Sequence, residues 1–293
     1  MIEQRITGKT RVVGILGYPV EHSLSPLMHN AGFQALGLDY CYVPFPVAPD
    51  NLGQAVQAVR ALNLAGVNVT IPHKEAVIPF LDELAPEAAS IGAVNTIVHQ
   101  DGQLVGYNTD GKGFLLSLTE GLNLDIQGRT IVLLGAGGAA RGVGMELARA
   151  GAGRLILINR NLERGQELAR DIARHTGGNI EARPWEEGIM AEALSGAQVL
   201  INTTSVGMYP HCHVPPVVNP ELLPEGLAVC DLIYNPMTTS LLEAAEAKGL
   251  RTLSGWGMLL YQGVLAFELW TGHKAPVELM KEALLKALNS KSK

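Results

Sequence analysis

The sequence predicts an α/β fold divided into two domains, and three observations carry that prediction. Short apolar runs alternate with stretches of helical length along most of the chain, the pattern of strands buried between helices. The run Ile131–Leu134 is unbroken, as in a parallel strand covered on both faces, and leads into Gly135-Ala136-Gly137-Gly138-Ala139-Ala140. At 293 residues, the chain has the length of about two domains. Gly135, Gly137 and Ala140 match G-x-G-x-x-G/A. The first glycine permits a sharp turn, the second lets a pyrophosphate approach the backbone, and the small third residue lets helix and strand pack closely. A second apolar strand, Leu155–Ile158, follows the helix, so the stretch is predicted to be a Rossmann-type dinucleotide-binding unit.

In the first domain, Arg11–Gly17 is predicted as a strand and Tyr18–His22 as a loop. Ser23-Leu24-Ser25-Pro26 opens a helix, with Ser25 as N-cap and Pro26 as first helical residue, ending at Gly37. Asp39–Pro46 is a strand, Asn51–Leu62 a helix, Gly66–Thr70 a third strand, and His73–Leu81 a further helix after Pro72. This alternation indicates a largely parallel sheet. Ala93–Val98 and Gln103–Asn108 flank Asp101-Gly102 and form a hairpin. Thr109-Asp110-Gly111 leads a helix to about Leu122, and the turn-rich bridge 123–129 follows. The first domain is therefore expected over 1–122, with the boundary in that bridge or within the helix just before it, completed by the helices of 257–293.

The second domain is expected over 123–256. After Arg160 come a helix to about His175, a strand near Ile180–Arg183, a helix near Ala191–Leu194 and a strand over Val199–Thr203. A proline-rich irregular stretch occupies 209–224. Ala228–Leu232 is a strand, Thr239–Lys248 a helix stopped by Gly249, and Arg251–Leu253 the last strand. Helices Gly257–Thr271 and Pro276–Leu288 finish the chain and are expected to return to the first domain.

Composition narrows the function classes. Hydrophobic residues make up 47% and charged residues 17%, enough apolar material for a sizeable core. The net charge of −6 argues against a nucleic-acid binder. No stretch is apolar enough to cross a membrane, and MIEQRITGKTR carries no signal-peptide core, so a cytoplasmic protein is expected. Cys41, Cys212 and Cys230 are too few and too scattered for a disulfide framework. His211-Cys212-His213 is spaced too tightly for a usual zinc site, and no metal is expected.

The second Rossmann strand ends at Asn159-Arg160, where a NAD-binding unit usually places an acid for the ribose 2′-hydroxyl. Here the acid is missing. Asn159, Arg160 and Arg164 can instead surround a 2′-phosphate, which makes NADP(H) the expected cofactor. The alternative is that both arginines are solvated residues at a helix start.

Chemistry-bearing residues collect at predicted strand ends, where open α/β sheets bind ligands. Lys74 would start a helix, whose dipole favours anions and would make the ammonium readier to give up its proton. Such a lysine suits carbonyl reduction beside a hydride donor; the plain alternative is a solvated surface lysine. Asp110 could cap the helix that follows it or pair with Lys74. Ser23, Ser25, Asn68, Thr70 and Asn95 suit a polyhydroxylated, carboxylated small molecule, or serve as caps and turn formers. Tyr234 and Gln262 could equally be a wet-edged core residue and a solvated one.

Taken together, these segments resemble the shikimate dehydrogenase family. The resemblance is carried, in chain order, by Gly17-Tyr18-Pro19-Val20 with Ser23-Leu24-Ser25-Pro26, Asn68-Val69-Thr70-Ile71-Pro72-His73-Lys74, Gly92-Ala93-Val94-Asn95-Thr96 and Gly106-Tyr107-Asn108-Thr109-Asp110-Gly111. It continues through the glycine turn, Asn159-Arg160, Asn202-Thr203-Thr204-Ser205-Val206-Gly207-Met208, Asp231-Leu232-Ile233-Tyr234 and Gly255-Trp256-Gly257-Met258. It implies an oxidoreductase of aromatic amino-acid biosynthesis, the NADPH-dependent reduction of 3-dehydroshikimate to shikimate. Lys74 and Asp110 would be the catalytic pair. Ser23, Ser25 and Tyr234 would hold the substrate carboxylate, and Asn68, Thr70, Asn95, Asp110 and Gln262 would line its ring. Gly135, Ala136, Gly137, Gly138 and Ala139 would hold the pyrophosphate, with Asn159, Arg160, Asn161 and Arg164 at the adenosine end. Thr204, Leu232 and Gly255 would complete the cofactor site near the nicotinamide. The family's usual Asn-Arg-Thr is Asn159-Arg160-Asn161 here. A homodimer is compatible with this reading. Two rivals stand beside it: a quinate/shikimate dehydrogenase using NAD, and a non-catalytic NADP sensor on the same scaffold.

Overall fold

The computed structural model describes residues 6–291; Met1–Arg5, part of the segment expected to lack a signal-peptide core, lie outside them. The chain divides into two compact units, one running to Thr109 and resuming at Gln262, the other spanning Asp110–Tyr261. The division falls at the start of the helix that follows Thr109, where the sequence places it in the bridge 123–129 or within that helix, and inside the penultimate helix near Gln262, beside the expected 257. The reason is packing. A Cβ on Gly111 would sit 2.5 Å from the carbonyl of Gly142, and one on Gly257 2.1 Å from Oγ of Ser117, so both helix starts are pressed onto the second unit.

The first unit contains β1 (Arg11–Gly17), α1 (Ser25–Ala35), β2 (Tyr40–Pro46), α2 (Leu52–Ala61), β3 (Gly66–Val69), β4 (Glu83–Leu84), α3 (Pro86–Ile91), β5 (Thr96–Gln100) and β6 (Gln103–Tyr107). Its sheet has the order β2-β1-β3-β5-β6-β4. β1 pairs in parallel with β2 and β3, and β4 with β6, while β3–β5 and β5–β6 are antiparallel, so the sheet is mixed, with three of its five pairings parallel. The hairpin turn is as expected: Asp101 and Gly102 both have positive φ, 52° and 79°, the geometry that suits a two-residue turn.

Two local expectations are corrected. Ser25 lies inside α1, Leu24 is the N-cap, and no side chain caps that helix. No α-helix follows Pro72: residues 74–77 form turns and Ile78–Phe80 a short 3-10 segment. Pro79 cannot donate a backbone bond and disfavours helical backbone at Ile78, which stops a helix from propagating.

The second unit contains α4 (Asp110–Leu122), β7 (Thr130–Leu134), α5 (Gly138–Arg149), β8 (Arg154–Asn159), α6 (Leu162–Thr176), β9 (Ile180–Pro184), α7 (Glu187–Ser195), β10 (Val199–Asn202), β11 (Ala228–Asp231), α8 (Ser240–Ala247) and β12 (Arg251–Leu253). All six strands run parallel in the order β12-β11-β10-β7-β8-β9. Its sheet core is apolar: Ile131, Leu133, Leu134, Leu157, Val199 and Leu200 are fully buried. Burial of this kind contributes about 1.5–3 kcal/mol per large apolar side chain.

α9 (Trp256–Thr271) and α10 (Val277–Lys291) end the chain. α10 packs on α1, and Trp270 donates its indole N–H to the carbonyl of Ile97 at 3.0 Å, so the expected return to the first unit is observed. No helix among the described residues is long and apolar enough to cross a membrane.

Candidate functional site

In the first unit, the ends of β1, β3 and β6 and the residues before β5 are laced together. Thr70 donates its N–H to the carbonyl of Leu16, and Tyr18 donates to that of Ile71, which sets the two loops side by side. A Cβ on Gly17 would meet Thr70 Cγ2 at 2.4 Å, so only glycine lets this approach occur. Asn68 is buried; its Oδ1 accepts from the Tyr42 hydroxyl at 2.8 Å, and its Nδ2 donates to the carbonyl of Asn95 and to Thr96 Oγ1, both at 3.1 Å. Ser25, also buried, hydrogen-bonds the Tyr42 hydroxyl. Burial raises the Tyr42 pKa, and the bond from Ser25 partly opposes that shift, so the phenol stays protonated and donates toward Asn68.

Asn95 anchors the other side. Its Oδ1 accepts from the Thr109 N–H at 2.9 Å, and its Nδ2 donates to Thr109 Oγ1 at 2.9 Å. Thr109 Oγ1 also lies 3.1 Å from the carbonyl of Gln262. Lys74 is half-buried, and its carbonyl accepts from the Val94 N–H at 2.8 Å, which fastens its backbone to the segment carrying Asn95. With no helix over 73–81, the dipole argument for Lys74 has nothing to rest on. Asp110 is the first helical residue of α4, one peptide bond beyond Thr109, where a carboxylate complements the helix dipole. Ser23 accepts a bond from the Ser25 N–H at 3.3 Å.

In the second unit the glycine turn has the predicted form. Gly135 has φ of 103°, and a Cβ there would lie 2.9 Å from Thr203 Oγ1, so both conformation and space exclude a side chain. Gly137 is the N-cap of α5 and supplies no side-chain cap. Among the described residues, Cβ atoms built on Gly137 or Gly138 meet nothing within 4 Å. The protein's own packing therefore does not demand these two glycines. Bare backbone facing open space, over an uncapped helix start, fits a dinucleotide pyrophosphate. Ala140 is fully buried, as the third position of the motif requires, and Ala136 and Ala139 complete the turn.

At the tip of β8, Asn159 donates from Nδ2 to the carbonyl of Asn161 at 2.7 Å. Asn161 caps α6, its Oδ1 accepting from the Arg164 N–H at 2.9 Å, so the residue that replaces the family's threonine is occupied in holding the helix. Arg164 Nε donates to the carbonyl of Ala136 at 2.9 Å, tying this tip to the glycine turn. Arg160 is exposed.

Behind the turn lies a network that the sequence does not announce. Thr203 Oγ1 donates to the carbonyl of Leu134, and Thr204 donates through N–H and hydroxyl to Asn202 Oδ1. Asn202 Nδ2 donates to Asp231 Oδ1, which also accepts from the Ile233 N–H, while Thr239 donates to Asp231 Oδ2 at 2.7 Å. Burial pushes the Asp231 carboxyl up to about 6 against these three donors. Leu232 and Gly255 are in backbone contact: a Cβ on Gly255 would lie 2.1 Å from the Leu232 carbonyl oxygen. Tyr234 is half-buried, and burial raises its pKa.

The structure thus brings Ser25, Asn68, Thr70, Asn95 and the Lys74 backbone together in one unit, and Gly135, Thr204, Arg164, Leu232 and Gly255 in the other. Sequence reasoning did not single out Tyr42, Thr109, Thr203 or Thr239. Asn202, Asp231 and Thr109 lie inside the motifs quoted above, which was the available signal; Tyr42 reads only as an apolar strand residue.

Comparison with known proteins agrees with this geometry. Residues 15–97 match the shikimate dehydrogenase substrate binding domain, 118–209 match shikimate / quinate 5-dehydrogenase, and 255–285 match the shikimate 5′-dehydrogenase C-terminal domain. The shikimate dehydrogenase (NADP(+)) of Desulforamulus reducens is 51% identical over 96% of this chain and 97% of its own. A crystal structure of a shikimate dehydrogenase in complex with NADP+ superimposes with TM-score 0.90 at 43% identity, covering 97% of this chain and 98% of that one. The Thermus thermophilus shikimate 5-dehydrogenase, solved with NADP(H) and shikimate, gives TM-score 0.83 at 40% identity over 95% of this chain and all of the other. With half of its residues identical along nearly the full length of a curated relative, and three family domains matched in chain order, the chain belongs to the shikimate dehydrogenase family.

Proposed function

We propose that the protein catalyses the reversible NADPH-dependent reduction of 3-dehydroshikimate to shikimate, a cytoplasmic step of aromatic amino-acid biosynthesis. The observation that carries this reading is the near full-length similarity to an NADP(+)-dependent shikimate dehydrogenase. When bound, NADP(H) supplies the hydride and accepts it in the reverse direction. The chain's own residues do the rest. Lys74 donates a proton to the substrate's carbonyl oxygen in reduction and removes it from the hydroxyl in oxidation. Asp110 is the second catalytic residue and accepts hydrogen bonds from the ring hydroxyls. Ser23, Ser25 and Tyr234 hold the carboxylate, with Ser25 preset by Tyr42. Thr70, Asn95 and Gln262 hold the ring hydroxyls, and Asn68 braces Tyr42 and Asn95 from behind. Gly135, Ala136, Gly137, Gly138 and Ala139 bind the pyrophosphate through backbone N–H groups, and Asn159, Arg160, Asn161 and Arg164 select the 2′-phosphate. Thr204, Leu232 and Gly255 form the wall at the nicotinamide. The substrate is a small molecule, and a homodimer is the assembly this reading allows; sedimentation velocity separates it from a monomer.

The test follows NADPH absorbance with purified protein while scanning shikimate and quinate against NADP and NAD. Rapid turnover confined to shikimate with NADP is the expected result. Comparable turnover with quinate and NAD moves the protein to the broader dehydrogenase class. Binding of NADPH with no turnover on any cyclic hydroxy acid supports a sensor instead.

A further inference from the structure

Arg160, proposed to grip the 2′-phosphate, is held differently from its neighbours. Asn159 and Arg164 are each fastened to backbone carbonyls, of Asn161 and Ala136 respectively. Among the described residues, Arg160 is instead engaged by an aromatic ring: its Cζ lies 5.6 Å from the centroid of Trp185. Register explains the meeting. β8 and β9 run parallel with Asn159 opposite Pro184, so the next residues, Arg160 and Trp185, leave the sheet side by side. Trp185 is half-buried and packs against the apolar cluster that includes Leu134, Ile158 and Met190, which fixes the plane of the indole.

We propose that Trp185 is a positioning and specificity-determining residue, a fixed platform that holds the Arg160 guanidinium for the 2′-phosphate and so raises discrimination for NADP over NAD. This rests on the reading of Arg160 given above. An exposed arginine loses rotamer freedom on gripping an anion, and that ordering cost weakens binding. A guanidinium resting on an indole face is already confined and attracted by the ring quadrupole. Stacking uses the face of the guanidinium and leaves its N–H edge for the phosphate oxygens, where the fork geometry acts. The following residue, Asn161, is committed to capping α6 through its Oδ1.

The experiment compares Trp185→Leu, Trp185→Phe and Arg160→Ala by direct binding of 2′,5′-ADP and 5′-AMP, and by kcat and KM with NADPH and NADH. For Trp185→Leu, 2′,5′-ADP affinity should fall by about threefold to thirtyfold. Affinity for 5′-AMP, kcat at saturating NADPH and kcat/KM with NADH should stay at the parent level. Trp185→Phe should retain most of the preference, and Trp185→Leu should have no further effect when added to Arg160→Ala. Equal weakening of both nucleotides would mean a merely structural role and overturn the proposal, as would no weakening of either. If Arg160→Ala itself leaves 2′,5′-ADP affinity unchanged, the underlying assignment of Arg160 fails; if Arg160→Ala weakens it and Trp185→Leu does not, only the platform fails. Should Trp185→Leu not fold, fluorescence of the parent chain decides. Emission lost in Trp185→Phe should respond to 2′,5′-ADP and not to 5′-AMP; an identical response to both would refute the platform.

Discussion

The two sheets have six strands each, yet they prepare their ligand-facing ends by opposite means. In the second unit every strand is parallel, and the central tip ends in backbone stripped of side chains: Gly135 has no room for one, and Gly137 and Gly138 face open space. In the first unit the sheet is mixed, and its tips end in polar side chains tied to one another, from Ser25 through Tyr42 to Asn68 and from Asn95 to Thr109. A pyrophosphate is a uniform anion that amide N–H groups at a helix start can bind without further chemistry. A ring bearing a carboxylate and several hydroxyls needs donors and acceptors at set positions, and such positions are kept only when each side chain is held by another.

The largest expected effect tests the side-chain half. Lys74→Ala should lower kcat by roughly two to four orders of magnitude, as for a lost general acid/base, while NADPH affinity stays near the parent value. A near-normal rate removes Lys74 from the mechanism. The backbone half is tested by Gly137→Ala. Its φ of −97° suits any residue, and the added methyl meets no protein atom. Stability should change by no more than about 1 kcal/mol, the difference between glycine and alanine at an N-cap. The KM for NADPH should rise by about tenfold or more, equivalent to roughly 1.4 kcal/mol of binding. A large drop in Tm with little change in KM would show that the glycine serves the fold and not the ligand.

Arg160→Ala should weaken NADPH by roughly tenfold to a hundredfold, the range for a lost charge-assisted hydrogen bond, and leave NADH almost untouched. Equal weakening of the two cofactors would contradict the 2′-phosphate assignment.

This contrast also decides what the sequence could reveal. Parallel strands buried on both faces are written as continuous apolar runs, so β7, β8, β10 and β11 are found within a residue or two. The glycine turn is legible because it is local: strand, turn and helix are consecutive. In the first unit the hairpin is legible for the same reason, through Asp101-Gly102. β4, with two residues, and α3, with six, are too short to show a period. The segment after Pro72 carries helix-like residues, and Pro79 defeats them. The lacing of Asn68, Tyr42, Asn95 and Thr109 joins residues far apart in the chain, and no periodicity records such partners. Trp185 is hidden likewise, because its meeting with Arg160 depends on the register of two strands.

The smallest expected effect sets one buried titratable group of each unit against the other. His29, in the first unit, is fully buried, stacks on Tyr42 at 4.5 Å, and has no hydrogen-bond partner on either ring nitrogen among the described residues. Burial lowers its pKa from 6.5 to about 3. The unfolded chain therefore binds the proton more readily, and His29 makes stability fall as pH drops below about 6.5, by at most about 1.4 kcal/mol per pH unit. Asp231, in the second unit, is pushed up by burial from 3.8 to about 6. Here the folded chain binds the proton more readily, so its contribution is fully present below pH 3.8 and is lost as pH rises to about 6. Between about pH 4 and 6 the two slopes oppose each other. Asp231→Asn keeps an acceptor for Asn202 and Ile233 and removes one slope, so relative to the parent the variant should gain stability steadily from pH 4 to 6. His29→Leu should do the reverse and lose its advantage over that interval. Urea unfolding at pH 4, 5 and 6 measures both, and curves that run parallel to the parent's for either variant would show that its buried group does not titrate with folding. Opposite slopes would place one proton-linked group in each unit, the histidine held by aromatic packing and the aspartate by hydrogen bonds.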